Sequence, residues 1–507
     1  MAYVRTVGTA SGARAVQIVW SSRRGARRIE HLGSAHDDGE LEALRAAGRE
    51  RIAAGQQALD LDLGADAGSA AGGPLPIVAS RAGHLWGALS TAYDVLGFDR
   101  AAGSDEVFRA LVLARIIEPT SKVDSLRVLE ETGVPGPSYA TVRRRLPDYA
   151  QDAFRGRLAA ACARHAALGP ASLVLYDVST LYFETDAGDG FREPGFSKER
   201  RLEPQITIGL LTDAAGFPLM VQAFEGNKAE TTTMLPVITS FVAAHQLEGV
   251  TVVADAGMIS AGNQDAIEDE GLSFILGSRI PHVPYLVAQW RREHPDTEIP
   301  DGHVFVQPWP ATDKQKAAGR RDKTVFYVYR ADRARRTLRG IDEQVAKAEA
   351  AVAGKASVKR NRFVTLTGGN KSVNRTLEAK ARTLAGIKGY TTNLPDPDAE
   401  FVIGAYHRLW RIEKSFRMSK HDLRARPIYH HKRDSIDAHL AIVFAALAIT
   451  HHVEGRTGWS IKRFVRAARR YRTVQIRAGD QLLTAEDPLP DDLRAALVAI
   501  SSAGGAH

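Results

Sequence analysis

Apolar residues along the chain recur with two different periods, and the change of period divides it. Tyr3–Val7 and Ala15–Trp20 are short β-branched runs separated by Ser/Gly turns, and a helical spacing follows over Asp38–Ala53. Residues 1–63 are therefore predicted to form a small strand-rich unit with one helix, and Gly64–Pro76 (GADAGSAAGGPLP) a linker. From His84 to Leu168 the apolar positions keep the helical period, which predicts a mainly helical region over 77–169. Within it, at 120–146, a Thr/Ser start, a helix and a Gly-Val-Pro-Gly-Pro turn lead into a second helix from Ser138 that carries Arg143, Arg144 and Arg145. That is the outline of a helix-turn-helix whose second helix would read DNA, although an ordinary packed helix pair fits the same pattern.

Beyond Pro170 the pattern shortens to strand-length apolar runs: Leu173–Tyr176, Pro204–Leu211, Pro218–Phe224, Val250–Ala254 and Ser273–Leu276, with helical stretches at Thr231–Ala244 and Asn263–Glu270. Alternating strands and helices predict an α/β fold with a mixed sheet. Residues 281–359 are more polar and carry two strand-like runs and a long helix, and they are expected to form an inserted, partly β subdomain. The sheet domain is then expected to span 170–280 and 360–455, with Arg362–Thr367 and Tyr390–Asn393 as returning strands and 456–507 as a basic helical region and tail. No repeat of 20–50 residues is visible.

Composition excludes little at first. Of the 507 residues 44% are hydrophobic and 25% charged, which suits a folded chain of about three domains. The longest apolar run, Leu440–Ile449, falls short of the roughly 20 residues that cross a bilayer and reads as a buried helix, so no membrane partner is expected. Cys162 is the single cysteine and the N-terminus has no apolar leader, so a reducing, cytoplasmic setting is expected, with association to the nucleoid if the partner is DNA. The net charge of +8 becomes informative when it is placed. Ala351–Tyr390 carries nine Lys/Arg against one acidic residue, and Phe401–Asp480 seventeen against six. An imbalance sustained over a hundred residues points to a polyanion such as nucleic acid, rather than to one solvated helix face.

Three carboxylates stand out within this frame. The runs LVLYD and VTVVAD each deliver an aspartate, Asp177 and Asp255, at the end of an apolar strand, where open α/β sheets place their ligands. Either one alone could be a turn or capping residue. The third lies in YHRLWRIEKSFRMSK, a stretch free of Gly and Pro in which Tyr406, Trp410, Glu413, Arg417 and Lys420 are spaced to share one helical face. An amphipathic helix with Glu413 paired to Arg417 fits the same spacing. Three carboxylates from two strands and a helix are hard oxygen donors suited to Mg²⁺ or Mn²⁺, and cations 3.5–4 Å apart, as an order of magnitude, can assist in-line displacement at phosphorus.

At these residues the chain resembles the DDE transposases of bacterial insertion sequences that carry a Tyr-x2-Arg-x3-Glu-x6-Lys signature. Tyr406, Glu413 and Lys420 match at that spacing, while the arginine position is Leu409, flanked by Arg408 and with Arg411 near. Asp177 in LYDVSTLYFE and Asp255 in VVADAGMIS resemble the first and second acidic positions. The resemblance runs from about Leu173 to about Ala448. It implies an RNase H-like catalytic core, a divalent metal held by Asp177, Asp255 and Glu413, and double-stranded DNA partners: the inverted-repeat ends and a target, bound by a homodimer. Tyr406, Arg408, Trp410, Arg411, Arg417 and Lys420 are then expected at the DNA. A DNA-binding relative without catalysis, such as a repressor, and a metal-dependent nuclease on the same fold are the alternatives.

Other motifs fail on spacing. Thr367–Ser372 (TGGNKS) has Asn370 where a phosphate loop needs glycine before its lysine. His430, His431, His439, His451 and His452 lack the spacing of structural zinc sites and are expected at the surface or on phosphates. Glu184 and Asp186 read as turn residues after the Asp177 strand, and Ser179 and Thr180 lack partners for a nucleophilic triad.

Overall fold

The computed structural model describes residues 2–8, 13–21, 27–56, 75–169, 171–185, 187–195, 203–258, 260–355, 361–367, 370–426, 428, 430, 432–478 and 481–502. The linker expected at Gly64–Pro76 falls almost wholly outside them, as do Asp186 and His431. The chain divides into two compact units, Met1–Pro74 and Leu75–His507.

In the first unit, strands Ala2–Gly8, Arg14–Ser21 and Arg27–Ala35 form an antiparallel sheet against the helix Asp38–Gln56. Its small core joins Val16, Ala35 and Leu41 to Val4, Leu32 and Leu44. The strand Arg27–Ala35 had no sequence expectation, because its Arg and His residues break the apolar alternation.

The second unit is built on one eight-stranded sheet, β1 (Leu173–Tyr182), β2 (Gln205–Asp213), β3 (Pro218–Glu225), β4 (Thr251–Ala254), β5 (Ser273–Ser278), β6 (Val304–Trp309), β7 (Lys323–Tyr329) and β8 (Ile387–Thr392). Its order is β6-β7-β8-β5-β4-β1-β2-β3. Within it, β3-β2-β1-β4-β5 carries the RNase H arrangement: β1 pairs antiparallel with β2, and parallel with β4, which pairs parallel with β5. The central strands are apolar on both faces, since every residue of β2 before Asp213 and all four of β4 are buried. Such continuous runs mark strands covered on both sides.

On one side lies the helix Arg433–Thr457, buried over most of its length. It is long and apolar enough to cross a membrane, but 94% of its most apolar 18-residue window is buried inside the protein. It packs against β3 and against the helices Glu106–Ile117 and Tyr139–Ala150 of the N-terminal helical region, so that region and the sheet share one core.

Three boundaries differ from expectation. The strands of 281–359 do not stand apart: β6 and β7 add to the main sheet through β8, because Val325, Phe326, Tyr327 and Val328 offer an unbroken buried run to pair with Tyr390 and its neighbours. What stands off the sheet is a satellite around Ile341, Val345, Ala348 and Phe363, made by the helix Ala331–Val352, the hairpin Val364–Thr367/Asn370–Val373 and the helix Arg375–Thr383. The returning strand expected at Arg362–Thr367 belongs to that hairpin. The C-terminal region is not purely helical either. Strands Thr473–Ala478 and Gln481–Glu486 form a sheet with Ile77–Arg81.

Candidate active site

Register brings the first two carboxylates together. β1 pairs with β4 through Tyr176 opposite Ala254, so Asp177 and Asp255 are each the next residue along adjacent parallel strands. Neighbouring strands lie about 4.8 Å apart, which makes the two carboxylates neighbours at the end of β4. β1 runs on to Tyr182, paired with β2 alone, so Asp177 sits in mid-strand rather than at a strand end. Asp177 is half-buried and Asp255 exposed.

Glu413 arrives on a separate, firmly docked helix. The expected continuous helix over Tyr406–Lys420 is broken at Arg408: Ala399–His407 ends there, Leu409–Arg417 begins, and Met418–Asp422 is a π-helical turn. The Leu409–Arg417 helix packs on β1 and on the β2–β3 turn. In that turn Asp213 accepts hydrogen bonds from the Ala215 and Phe217 amides at 2.8 Å each, which shapes the chain so that it can receive the helix. The Arg411 guanidinium then donates to the Ala214 carbonyl at 2.8 Å, and the Ser415 hydroxyl donates to the Gly216 carbonyl at 2.9 Å. Gly216 has φ +88, and a Cβ there would lie 2.9 Å from the Arg411 Cβ. With Arg411 and Ser415 clamped on one face, Glu413 between them faces away and is exposed, with no ion pair to Arg417 among the described residues.

Two cationic or protic neighbours link the carboxylates electrically. Tyr406 is buried, and its hydroxyl donates to Asp255 Oδ1. Burial pushes its phenol strongly up, and the hydrogen bond and charge of Asp255, with Asp177 farther off, act in the same direction. The phenol therefore stays a proton donor at any working pH. Lys388 of β8 lies 4.3 Å above the Tyr406 ring. Burial lowers its affinity for a proton, while Asp255 and Glu413 pull it back up, which places both carboxylates within its electrostatic range. Among the described residues no three His, Cys, Asp or Glu side chains close around a point that could hold a metal ion. Tyr406 and Lys388, rather than a third carboxylate, stand next to Asp255. The adjacent pair Asp177 and Asp255 fits a hard divalent cation by its donor chemistry, with Glu413 contributing from the neighbouring helix.

The other expected site residues separate into groups. Arg408, Trp410 and Arg417 are exposed, and Lys420 is half-buried in the π-helical turn. Trp410, which could equally have been core, is 58% exposed. Trp410, Arg411, Lys414 and Arg417 line one wall of a groove of about 1490 Å³ whose other side includes Arg164, Arg456 and Trp459. Tyr406 does not reach this surface: it is a support for Asp255 rather than an exposed phosphate contact, because its ring fills the space between Tyr390 and Lys388. Arg143 and Arg144 are exposed on the helix Tyr139–Ala150, the second helix of the expected helix-turn-helix. Arg145 is instead bound to Asp105, a buried carboxylate that also caps Glu106–Ile117 by accepting from the Val107 and Phe108 amides and holds the Tyr149 hydroxyl at 3.0 Å. Asp105 and Asp148 thus occupy Arg145, although its side chain is still 41% exposed. The histidines expected at the surface are largely interior, His439 and His452 being buried and His451 half-buried, since each finds a partner within the fold.

Two residues near the site had no sequence expectation. Lys388 lies in an ordinary strand, and Glu230 in a 3₁₀ turn; the charges of Asp177 and Glu230 both act on the Tyr176 phenol, and Glu230 also lies against Gly257. Neither sits in a motif, so only topology could reveal them.

An RNase H-like sheet carrying paired carboxylates at its central strands defines a class of enzyme that acts on phosphodiesters of nucleic acids. More specifically, the model of the transposase DDE domain matches residues 168–449, over half of the chain, and the protein belongs to that family. Members of the family act on DNA and generally use divalent metal ions. Comparison with curated proteins gives no match. Among solved structures the chain is similar to piggyBac transposase in a synaptic complex with hairpin DNA, at 10% identity and a TM-score of 0.37, covering 76% of this chain and 70% of that one.

Proposed function

We propose that this protein is the DDE transposase of a bacterial insertion sequence, which binds the inverted-repeat ends of its element as a dimer, cleaves them and joins them to a target. The observation that carries the reading is the register of Tyr176 with Ala254, which makes Asp177 and Asp255 neighbours inside the family's matched region. Asp177, Asp255 and Glu413 would hold Mg²⁺ or Mn²⁺, and the bound cation would supply Lewis-acid charge to the attacking and leaving oxygens. Tyr406 fixes the orientation of Asp255 by its hydroxyl. The β2–β3 turn fixes the helix that carries Glu413. Trp410, Arg408, Arg417 and Lys420 form the adjoining surface for the DNA end, and Arg143 and Arg144 a second contact on the helix-turn-helix.

The test is incubation of the protein with DNA from both flanks of its coding region and Mg²⁺. The expected result is metal-dependent nicking followed by joining to a plasmid, abolished by Asp177→Asn, Asp255→Asn or Glu413→Gln while DNA binding persists. Cleavage retained in any one of these variants removes that residue from the set, and cleavage without joining makes the protein a nuclease.

A second reading, a DNA-binding relative without catalysis, is favoured by one observation: Lys388 stands within electrostatic range of Asp255 and Glu413, where its charge can take the place of a cation. Binding of the flanking DNA with no nicking in Mg²⁺ or Mn²⁺ would select it.

A further inference from the structure

Most buried charges of the second unit have a counter-charge. Asp105 meets Arg145, Asp437 meets Arg155, Arg192 meets Asp189 and Glu268 meets Lys323. One cluster is an exception. Arg115 on the helix Glu106–Ile117, Lys122 just ahead of the helix Asp124–Glu131, and His439 on the helix Arg433–Thr457 are only 6%, 7% and 5% exposed. The Lys122 ammonium lies 2.5 Å from His430 Nε2, and the His430 and His439 rings are 5.8 Å apart. Among the described residues no carboxylate pairs with Arg115 or Lys122; the charge felt by Lys122 is that of Arg115, and His439 feels Lys122, Arg115 and His430.

One donor is left over in this pocket. Arg115 Nε is buried with no hydrogen-bond partner, while His439 donates from Nε2 to the Ala425 carbonyl at 3.1 Å, so its neutral ring presents the unpartnered Nδ1 as an acceptor that becomes a second donor when a bound anion favours its protonation. A buried cation is costly without an opposing charge, and a buried guanidinium N–H without an acceptor adds to that cost. Burial accordingly pushes the Lys122 amine down to about 7 and the Arg115 guanidinium down to about 10, each lacking a carboxylate to restore it. A guanidinium with a spare N–H beside an ammonium, flanked by an imidazole that an anion would protonate, is matched by an oxyanion with several acceptor atoms. His430 is the least buried of the four, so the pocket reaches the surface on its side.

We propose that Arg115, Lys122, His430 and His439 form a phosphate-binding pocket separate from the carboxylate site, taking either a backbone phosphate of bound DNA or a free phosphate ion. The DNA source rests on the function proposed above; the pocket itself does not. His430 lies eight residues beyond the end of the Met418–Asp422 turn, so an anchored phosphate would tie the helical region to the segment that leaves the Glu413 helix.

The experiment uses the full chain, wild type against Lys122→Met and Arg115→Met, with inorganic phosphate as the first probe and a 30-base-pair duplex as the second. In chloride, Lys122→Met is expected to melt at a higher temperature than wild type, because an uncompensated charge is gone. Adding phosphate at matched ionic strength should raise the wild-type melting temperature along a saturating curve, with apparent affinity at least about tenfold weaker in either variant; comparison between variants removes the general salting effect of phosphate. If DNA supplies the phosphate, the slope of log affinity against log salt falls by about 0.9 in Lys122→Met, the value for one lost phosphate contact. An unchanged slope beside an altered phosphate response assigns the pocket to free phosphate. Equal responses of wild type and both variants to phosphate, together with equal salt slopes, overturn the proposal. Absence of duplex binding by wild type leaves the phosphate arm to decide it, and Lys122→Arg serves if the methionine variants do not fold.

Discussion

Replacing Tyr406 with Phe deletes one hydroxyl and leaves the buried ring in place. In the native fold that hydroxyl donates to Asp255 while the ring packs 4.8 Å from Tyr390 and 4.3 Å from the Lys388 ammonium. A hydrogen bond to a charged group contributes about 1.5–3 kcal/mol where water is excluded. Asp255 is exposed, so water can take the vacated position, and the cost in folding stability should stay below about 1 kcal/mol. The cost in orientation is different. If Asp255 must be held in one rotamer to ligate a cation, loss of its supporting donor should lower cation affinity or cleavage about 10- to 100-fold, the usual effect of removing an outer partner of a metal ligand. Single-turnover nicking of the flanking DNA, titrated with Mg²⁺, reads this directly, with a melting curve as the control.

Gly277 offers an independent approach to the same bond. A Cβ there would lie 2.7 Å from the Tyr406 hydroxyl and 3.1 Å from the Ala256 amide. Gly277→Ala should therefore displace the hydroxyl from Asp255 and reduce nicking by a similar factor. In the Tyr406→Phe background the closest clash is gone, so the alanine should cost less there, with a coupling of about 0.5–3 kcal/mol, as expected for residues in contact. Wild-type nicking and an unshifted Mg²⁺ midpoint in Tyr406→Phe would refute the idea that Tyr406 orients Asp255.

Gly216→Ala meets both a positive φ and the Arg411 Cβ at 2.9 Å, so it should lower stability by about 2–4 kcal/mol in urea melts and reduce nicking further by loosening the Glu413 helix; a neutral effect would show that the turn does not dock that helix. Asp105→Ala strips a helix cap and takes the acceptor from the Tyr149 hydroxyl, while the partly exposed Arg145 keeps Asp148, so the expected loss is about 2–4 kcal/mol, whereas Asp105→Asn, which can still cap, should lose less. Burial pushes both His451 and His452 down to about 4. An unfolded chain takes up these protons near pH 6.5 and the folded one only near 4, so stability is lost as pH falls through that window, by roughly 3 kcal/mol for each histidine. His452→Gln should flatten the profile of stability against pH, and an unchanged slope would argue against a neutral buried imidazole. Arg408→Gln and Arg417→Gln should each reduce the salt slope of duplex binding by about 0.9 while leaving the melting temperature unchanged, and an unaltered slope would place DNA on another face.

What the sequence disclosed depended on how local the signal was. The α/β class, the central strands and the long buried helix were legible because each rests on a continuous apolar run whose period needs no partner to interpret. Asp177 and Asp255 were legible as strand-associated carboxylates, but their adjacency is a property of the β1–β4 register, which lies 78 residues apart in the chain. The break at Arg408 was not legible, because neither Gly nor Pro marks it; in the fold the Arg411 amide bonds back to the Arg408 carbonyl and its guanidinium reaches the β2–β3 turn. Tyr406 kept its motif position and changed its job for the same reason: spacing placed it on the Glu413 face, whereas the break turned it under Asp255. The pairing of β6 and β7 with β8 was concealed by polar connections that look like a separate subdomain when read in isolation.

Charge was the least faithful signal, and the structure explains how it misleads. Of the basic residues in Phe401–Asp480, Arg411 bonds a backbone carbonyl, Lys414 pairs with Glu454 at 2.9 Å, Lys462 pairs with Asp422 at 2.7 Å, and Arg469 bridges Glu118 and Glu131 at 3.2 and 2.9 Å. Arg472 holds carbonyls of Ser80 and Glu131. These side chains fasten the C-terminal region and the catalytic helix to the rest of the fold, so they have already spent their donors. If all seventeen Lys/Arg met phosphate, the salt slope of binding would approach about −15, steeper than that of a strong repressor. The tied residues cannot contribute in full, so under the proposed function the cations left for DNA are exposed ones such as Arg408 and Arg417, beside Trp410 and along the helix that carries Glu413. Local charge density correctly pointed to a polyanion, but only the hydrogen-bond partners distinguish the cations available to it from those that hold the protein together.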